Sequence, residues 1–131
     1  MASFARPFLL IFALGLALQF VGPWWIIAPV ALLGGAALGR TGGRAFLAGF
    51  AGIGLGWLLL AAWQNHLNDG RLARRVAELL PLGGSAAALV LLTAVIGGLV
   101  GGLAALAGCW LRQAVAPAKT TAADQSATAN L

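Results

Sequence analysis

Three long stretches of this chain carry no charged side chain: Pro7 to Gly39, Ala45 to Asn65 and Leu79 to Leu111. A helix needs about 20 apolar residues to cross the hydrocarbon core of a bilayer, and each stretch supplies them. Inside hydrocarbon the chain must pair every backbone N–H and C=O itself, so only helices or a closed β-barrel can cross. A barrel would alternate apolar and polar residues in short segments; here the apolar runs are continuous. Composition agrees. Of the 131 residues, 61% are hydrophobic and 8% are charged, where a water-soluble domain carries roughly 25% charged residues. The sequence predicts an all-α, polytopic membrane protein.

The first stretch decides the number of spans. As one helix its 33 residues would run about 50 Å, well beyond a core of roughly 30 Å. Gly22-Pro23 stands in its middle, and Trp24-Trp25 follow. Gly-Pro punctuates a helix, and paired Trp residues favour the headgroup interface. The expectation is a hairpin, with spans near 4–21 and 24–39, then spans near 44–63 and 85–111. One long kinked helix, giving three spans in all, is the alternative. Residues 1–116 form the bundle in this reading, and the Ala-, Thr- and Ser-rich tail 117–131 is expected to be disordered. The first 20 residues also resemble a secretory signal, with Arg6 before an apolar run. No clear A-x-A site follows, so an uncleaved span is expected.

Net charge is +5, and the basic residues flank the apolar runs, where anionic lipid headgroups are the nearest partner. No aromatic-and-basic repeat offers a base-stacking platform, which argues against nucleic acid. With four spans, Arg6, Arg40, Arg44, Arg112 and Lys119 share one side, and Arg71, Arg74 and Arg75 the other. By the positive-inside rule this five-to-three split favours both termini in the cytoplasm, whereas three spans would divide the same charges four and four with no preference; a bacterial inner membrane is the expected location. A weak internal repeat pairs Arg6-Pro7-Phe8-Leu9 and Phe12-Ala13 with Arg44-Ala45-Phe46-Leu47 and Phe50-Ala51. Leu32-Leu33-Gly34-Gly35 likewise resembles Leu99-Val100-Gly101-Gly102.

Glycine is dense within the spans, with 19 residues in the chain. Gly35 and Gly39 are four apart, as are Gly52 and Gly56, Gly97 and Gly101, and Gly98 and Gly102. Residues four apart share a helix face, and a face without side chains lets another backbone approach closely. These eight glycines are the candidate helix-packing positions, within one chain or between chains. Short helices bury little, so a homo-oligomer or a larger complex is expected.

The one polar segment, Gln64 to Glu78, separates the last two spans. Asp69 is placed to cap a short helix near 70–80. On that helix Leu72, Val76, Leu79 and Leu80 share one face, and Arg71, Arg74, Arg75 and Glu78 the other. This is the pattern of a helix lying flat at a membrane interface. It serves either as a connector on the bundle end or as an anionic-lipid contact through Arg71, Arg74 and Arg75.

Chemistry finds little purchase. Asp69-Gly70, Ala73-Arg74 and Gly83 match part of the signature of CDP-alcohol phosphotransferases, which hold divalent metals with four Asp side chains. His66, Ala87 and Leu91 occupy the other three Asp positions, and a single carboxylate does not make such a site. Ser85 and His66 match an intramembrane serine protease in residue type only. One His and the remote Cys109 do not suit zinc, and a lone cysteine forms no intrachain disulfide. No catalytic residue, metal or cofactor is expected, and the chain is read as no enzyme. The spans hold no ionisable group away from their ends, which disfavours an ion-coupled carrier; Gln19 and Thr93 are their notable polar groups. The expected role is a small membrane subunit acting through helix association, as a scaffold, assembly or accessory component. An oligomeric channel or small transporter is the alternative.

Overall fold

The structure is a computed structural model and describes residues 2–81 and 83–116. The tail expected to be disordered lies outside the described residues, as does Lys119. Among the described residues the chain is helical, without a strand. Helix α1 spans Ala2–Gln19, α2 Ile27–Leu38, α3 Gly42–Leu67, α4 Arg71–Leu79 and α5 Ala86–Val115, with a 3-10 turn at Trp24–Ile26 leading into α2. By length and composition α3 and α5 suffice to cross a membrane, whereas α1 and α2 are shorter apolar helices.

The first apolar stretch does not form one kinked helix. Its helix stops at Gln19, where the Gly22 N–H donates to the Leu18 carbonyl at 2.7 Å. Pro23 is extended, with φ −67° and ψ 158°, and the chain then turns back into α2. Gly34 accordingly lies against Ile11 in the middle of α1. Pro29 falls in the first turn of α2, where a missing N–H costs least.

Neighbouring residues give the helix directions. Gly42 lies against Leu106 and Trp110, and Gly54 against Ala94 and Gly98, so α3 and α5 are antiparallel. Gly35 meets Ala105 and Gly39 meets Cys109, so α2 and α5 are parallel. Helices α1 and α3 are also parallel, with Gly52 against Ile11 and Gln19 bonded to Trp57. The result is a ring in the order α1, α3, α5, α2, with α1 and α5 at opposite corners. Ile11, Ile27, Ala31, Ala48, Ile53 and Ala105 fill its centre. The two segments of the weak repeat stand side by side on α1 and α3. Each carries a ladder of stacked phenylalanines, Phe8–Phe12 and Phe46–Phe50, both with ring centroids 6.0 Å apart.

The ring is stepped. Trp57 marks the end of α1 through its bond to Gln19, yet α3 continues to Leu67. Gly97 of α5 is level with Trp57, and α5 begins at Ala86. Both helices therefore run roughly 15 Å beyond the α1–α2 turn at a rise of about 1.5 Å per residue. Helix α4 sits on this upper storey. The opposite end carries Arg6, Arg40, Arg44 and Arg112, and there α5 continues past the end of α2 to Val115.

Candidate functional site

Several of the described polar residues, Gln64, Asn65, Asn68 and Thr93, gather where α3, α4 and α5 meet. Helix α3 closes with the Asn68 amide donating to the Gln64 carbonyl at 3.0 Å. The Gly70 N–H donates to the Asn65 carbonyl at 2.8 Å. Two successive left-handed residues, Asp69 at φ 50° and Gly70 at φ 68°, then swing the chain into α4. A left-handed conformation is cheap for glycine and tolerable for aspartate. This corrects the capping role expected of Asp69. The N-cap position belongs to Gly70, and no side-chain cap bond forms there. Asp69 is used for its backbone conformation instead.

Helix α4 rests mainly on α5, with Ala77 fully buried and Gly70 buried beside it. Ala73 and Val76 are half-buried. The large apolar side chains of the same helix are not covered: Leu72 is 65% exposed and Leu79 87% exposed. Arg71, Arg74 and Arg75 are exposed, and none forms an ion pair or hydrogen bond with another described side chain. Beneath α4 the two long helices part around a cavity of about 210 Å³. Gln64, Asn65, Asn68 and Thr93 give it polar edges, and Leu72 and Leu89 are among its apolar walls. The Asn65 Oδ1 is buried without a hydrogen-bond partner among the described residues. A second, polar hollow shares Asn68 and Leu72 with the first and is bordered by Arg71 and Asp69.

The other polar residues have structural occupations. Thr93 Oγ1 donates to the Leu89 carbonyl at 2.9 Å, the usual back-bond of a helical threonine. Trp57 Nε1 donates to Gln19 Oε1 at 3.1 Å and ties α3 to α1. Ser85 caps α5 by accepting from the Ala88 N–H at 3.3 Å. His66 is exposed at the end of α3.

Seven of the eight glycines selected from sequence are brought to three places within the chain. A side chain on Gly97, Gly98, Gly101 or Gly102 would strike Trp57, Phe50, Ile53 or Phe46 of α3, respectively. Gly35 lies against the Ala105 backbone, and Gly39 against Ala45 and Cys109. Gly52 meets Ile11, whereas Gly56 has nothing within 4 Å. Other glycines at helix contacts were not singled out. Gly49 faces the Gly101 carbonyl, Gly54 the Gly98 backbone, and Gly108 the Leu32 carbonyl. Gly101, Ala105 and Gly108 continue one face at spacings of four and three, a signal that could have added Gly108.

At the other end of the ring the bonding of the Arg112 guanidinium was also overlooked. It donates to the Ala37 carbonyl at 3.2 Å and the Gly39 carbonyl at 2.9 Å. These carbonyls end α2 and have no partner inside their own helix. The positive charge also suits the negative end of the helix dipole. Cys109 is buried beside them, its thiol 3.6 Å from the Gly39 oxygen and 3.4 Å from Gln113 Nε2. This cluster is a lock between helices, and its groups are occupied with one another.

No protein-family model, curated protein or solved structure matches the chain.

Proposed function

We propose that this chain is a small integral membrane subunit that works through helix–helix association, as a scaffold, assembly or accessory component. In this reading α1, α2, α3 and α5 all cross a bacterial inner membrane, and both termini are cytoplasmic. The observation that carries it is how the surface is divided. Large apolar side chains such as Leu9, Leu33, Leu47, Leu59, Leu91 and Leu103 are exposed around the ring. Arginines stand only at its two ends. Water would penalise that exterior, whereas hydrocarbon matches it. The α1–α2 hairpin is short for a span and calls for locally thinned lipid or protein neighbours.

The association half of the proposal rests on how little a ring this slender buries. The centre is six side chains, three of them alanine. The glycines of α5 are already engaged by α3, so partners would meet the outer apolar faces. Light scattering of the chain extracted in mild detergent should give a mass of more than one protomer, or a stable complex with another protein. A lone monomer in every mild detergent would sink the association reading.

Topology has its own test. In a Cys109→Ala background, Val21→Cys and His66→Cys should react with a membrane-impermeant maleimide in intact cells. Ser126→Cys should react only after permeabilisation. Labelling of Ser126→Cys from outside would invert the orientation. Labelling of Val21→Cys and His66→Cys from opposite sides would remove the four-span arrangement.

A further inference from the structure

Helix α4 has an apolar arc wider than the surface it rests on. Projected around the helix, Ala73 and Ala77 occupy one half of that arc and face α5. Leu72 and Leu79 occupy the other half and stay open. Arg75 and Arg71 come next around the helix, so an uncovered leucine stripe is bordered directly by two unpaired cations. Arg74 lies on the far border of the polar face, beside Gly70, with its Nε 3.6 Å from a Cβ built there. Glu78 shares the polar face and Asp69 precedes the helix; neither forms an ion pair with the arginines. Below the stripe, the amide-edged cavity runs from Asn68 and Gln64 towards the apolar Leu89 and Val90.

We propose that α4 and the corner beneath it seat an anionic phospholipid, with its phosphate on Arg71 and Arg75. The amides of Gln64 and Asn68 meet its glycerol and ester groups, and Leu72 and Leu79 lie among its acyl chains. From Arg71 through Asn68 and Gln64 to Leu89 and Val90 the surface passes from cation to amide to hydrocarbon, the order of an anionic amphiphile, with Leu72 flanking that path. Guanidinium groups suit phosphate through paired N–H donors. A free phosphate would use the arginines and leave the leucines in water. A soluble protein partner would have no need of the amide-to-hydrocarbon gradient. The proposal rests on the membrane reading and names a ligand within it.

The full chain, purified in mild detergent, can be titrated with dioleoylphosphatidylglycerol and with dioleoylphosphatidylcholine, and its lipid adducts counted by native mass spectrometry. A saturable adduct is expected with phosphatidylglycerol and not with phosphatidylcholine. Removing two headgroup-level charges in Arg71→Gln/Arg75→Gln should weaken it about 30-fold, at roughly fivefold per arginine. Arg74→Gln should weaken it less than fivefold, because that side chain lies away from the stripe. Arg71→Lys/Arg75→Lys should keep binding within about tenfold, since charge survives and only the planar fork is lost. These side chains are exposed and unpaired, so the variants should fold as the parent does. Equal adducts with both lipids would overturn the proposal, as would full binding by the double glutamine variant. Displacement of the lipid by equimolar glycerol 3-phosphate would also overturn it, since the site would then recognise a soluble phosphate. Maleimide labelling of the same variants reports on membrane insertion separately, so a lost lipid preference with an intact labelling pattern would refute the lipid seat alone.

Discussion

At the end holding Arg40, Arg44 and Arg112, α2 and α5 meet backbone to backbone. At the end holding α4, α3 and α5 part around a cavity of about 210 Å³. The same long helix α5 takes part in both. Where glycines face carbonyls, as Gly35 and Gly108 do, no side chain separates the helices and the Arg112 guanidinium seals the seam. Where Ala73, Val76 and Leu89 face one another across the cavity, the fit is looser, and amides line the gap. The difference teaches that tightness in this bundle is a local property, set by which residues lack a side chain. The closed end holds the ring together. The open end is where a ligand can enter.

Substitution at the two ends sharpens the contrast. The largest loss is expected for Gly108→Ala. Its new methyl group would meet the Leu32 carbonyl and the Ala36 nitrogen, and backbone cannot rotate out of the way. Overpacking of this kind costs about 3 kcal/mol, read as a lower midpoint of thermal unfolding in detergent. Ala61→Val, which adds two carbons beside the open cavity where Gly108→Ala adds one, should stay within about 1 kcal/mol of the parent. Equal losses in the two variants would erase the distinction between the ends. A smaller effect, about 1–2 kcal/mol, is expected for Arg112→Gln. That change removes a charged donor from the last carbonyls of α2. A midpoint unchanged in Arg112→Gln would show that the glycine seam holds the closed end unaided.

Much of the local architecture was legible before the structure. Gly22-Pro23 marked the reversal between α1 and α2 because neither residue favours helix continuation in that context. The polar run after Gln64 and the arginines around it marked α4. What spacing could not convey was the partner of each face. Gly97 and Gly98 belong to adjacent ladders, yet both face α3, through Trp57 and Phe50. Gly56 shares a ladder with Gly52, yet a methyl group added there would meet nothing within 4 Å. Four-residue spacing defines a stripe, and tertiary packing chooses its neighbour. Likewise, sequence grouped Leu72 and Leu79 with the apolar face of α4. Only the placement of Ala77 against the bundle reveals that this half of the face is left open. Asp69 was misjudged because its residue type fits an N-cap, while the turn required two left-handed residues in succession. Arg112 was missed because its acceptors lie 75 and 73 residues away.

That distance has a consequence for how the protein is made. Gly35 on α2 finds the backbone that covers it in α5, the last of the described helices to be synthesised. At about 5–20 residues per second, the α1–α2 hairpin waits roughly 4–14 s for the segment that completes it. During that interval its barest surface is open to any other helix emerging nearby. A chain truncated before Ala86 would keep that surface open permanently, and quality-control proteases would meet a hairpin whose α2 lacks both its neighbour and its seal.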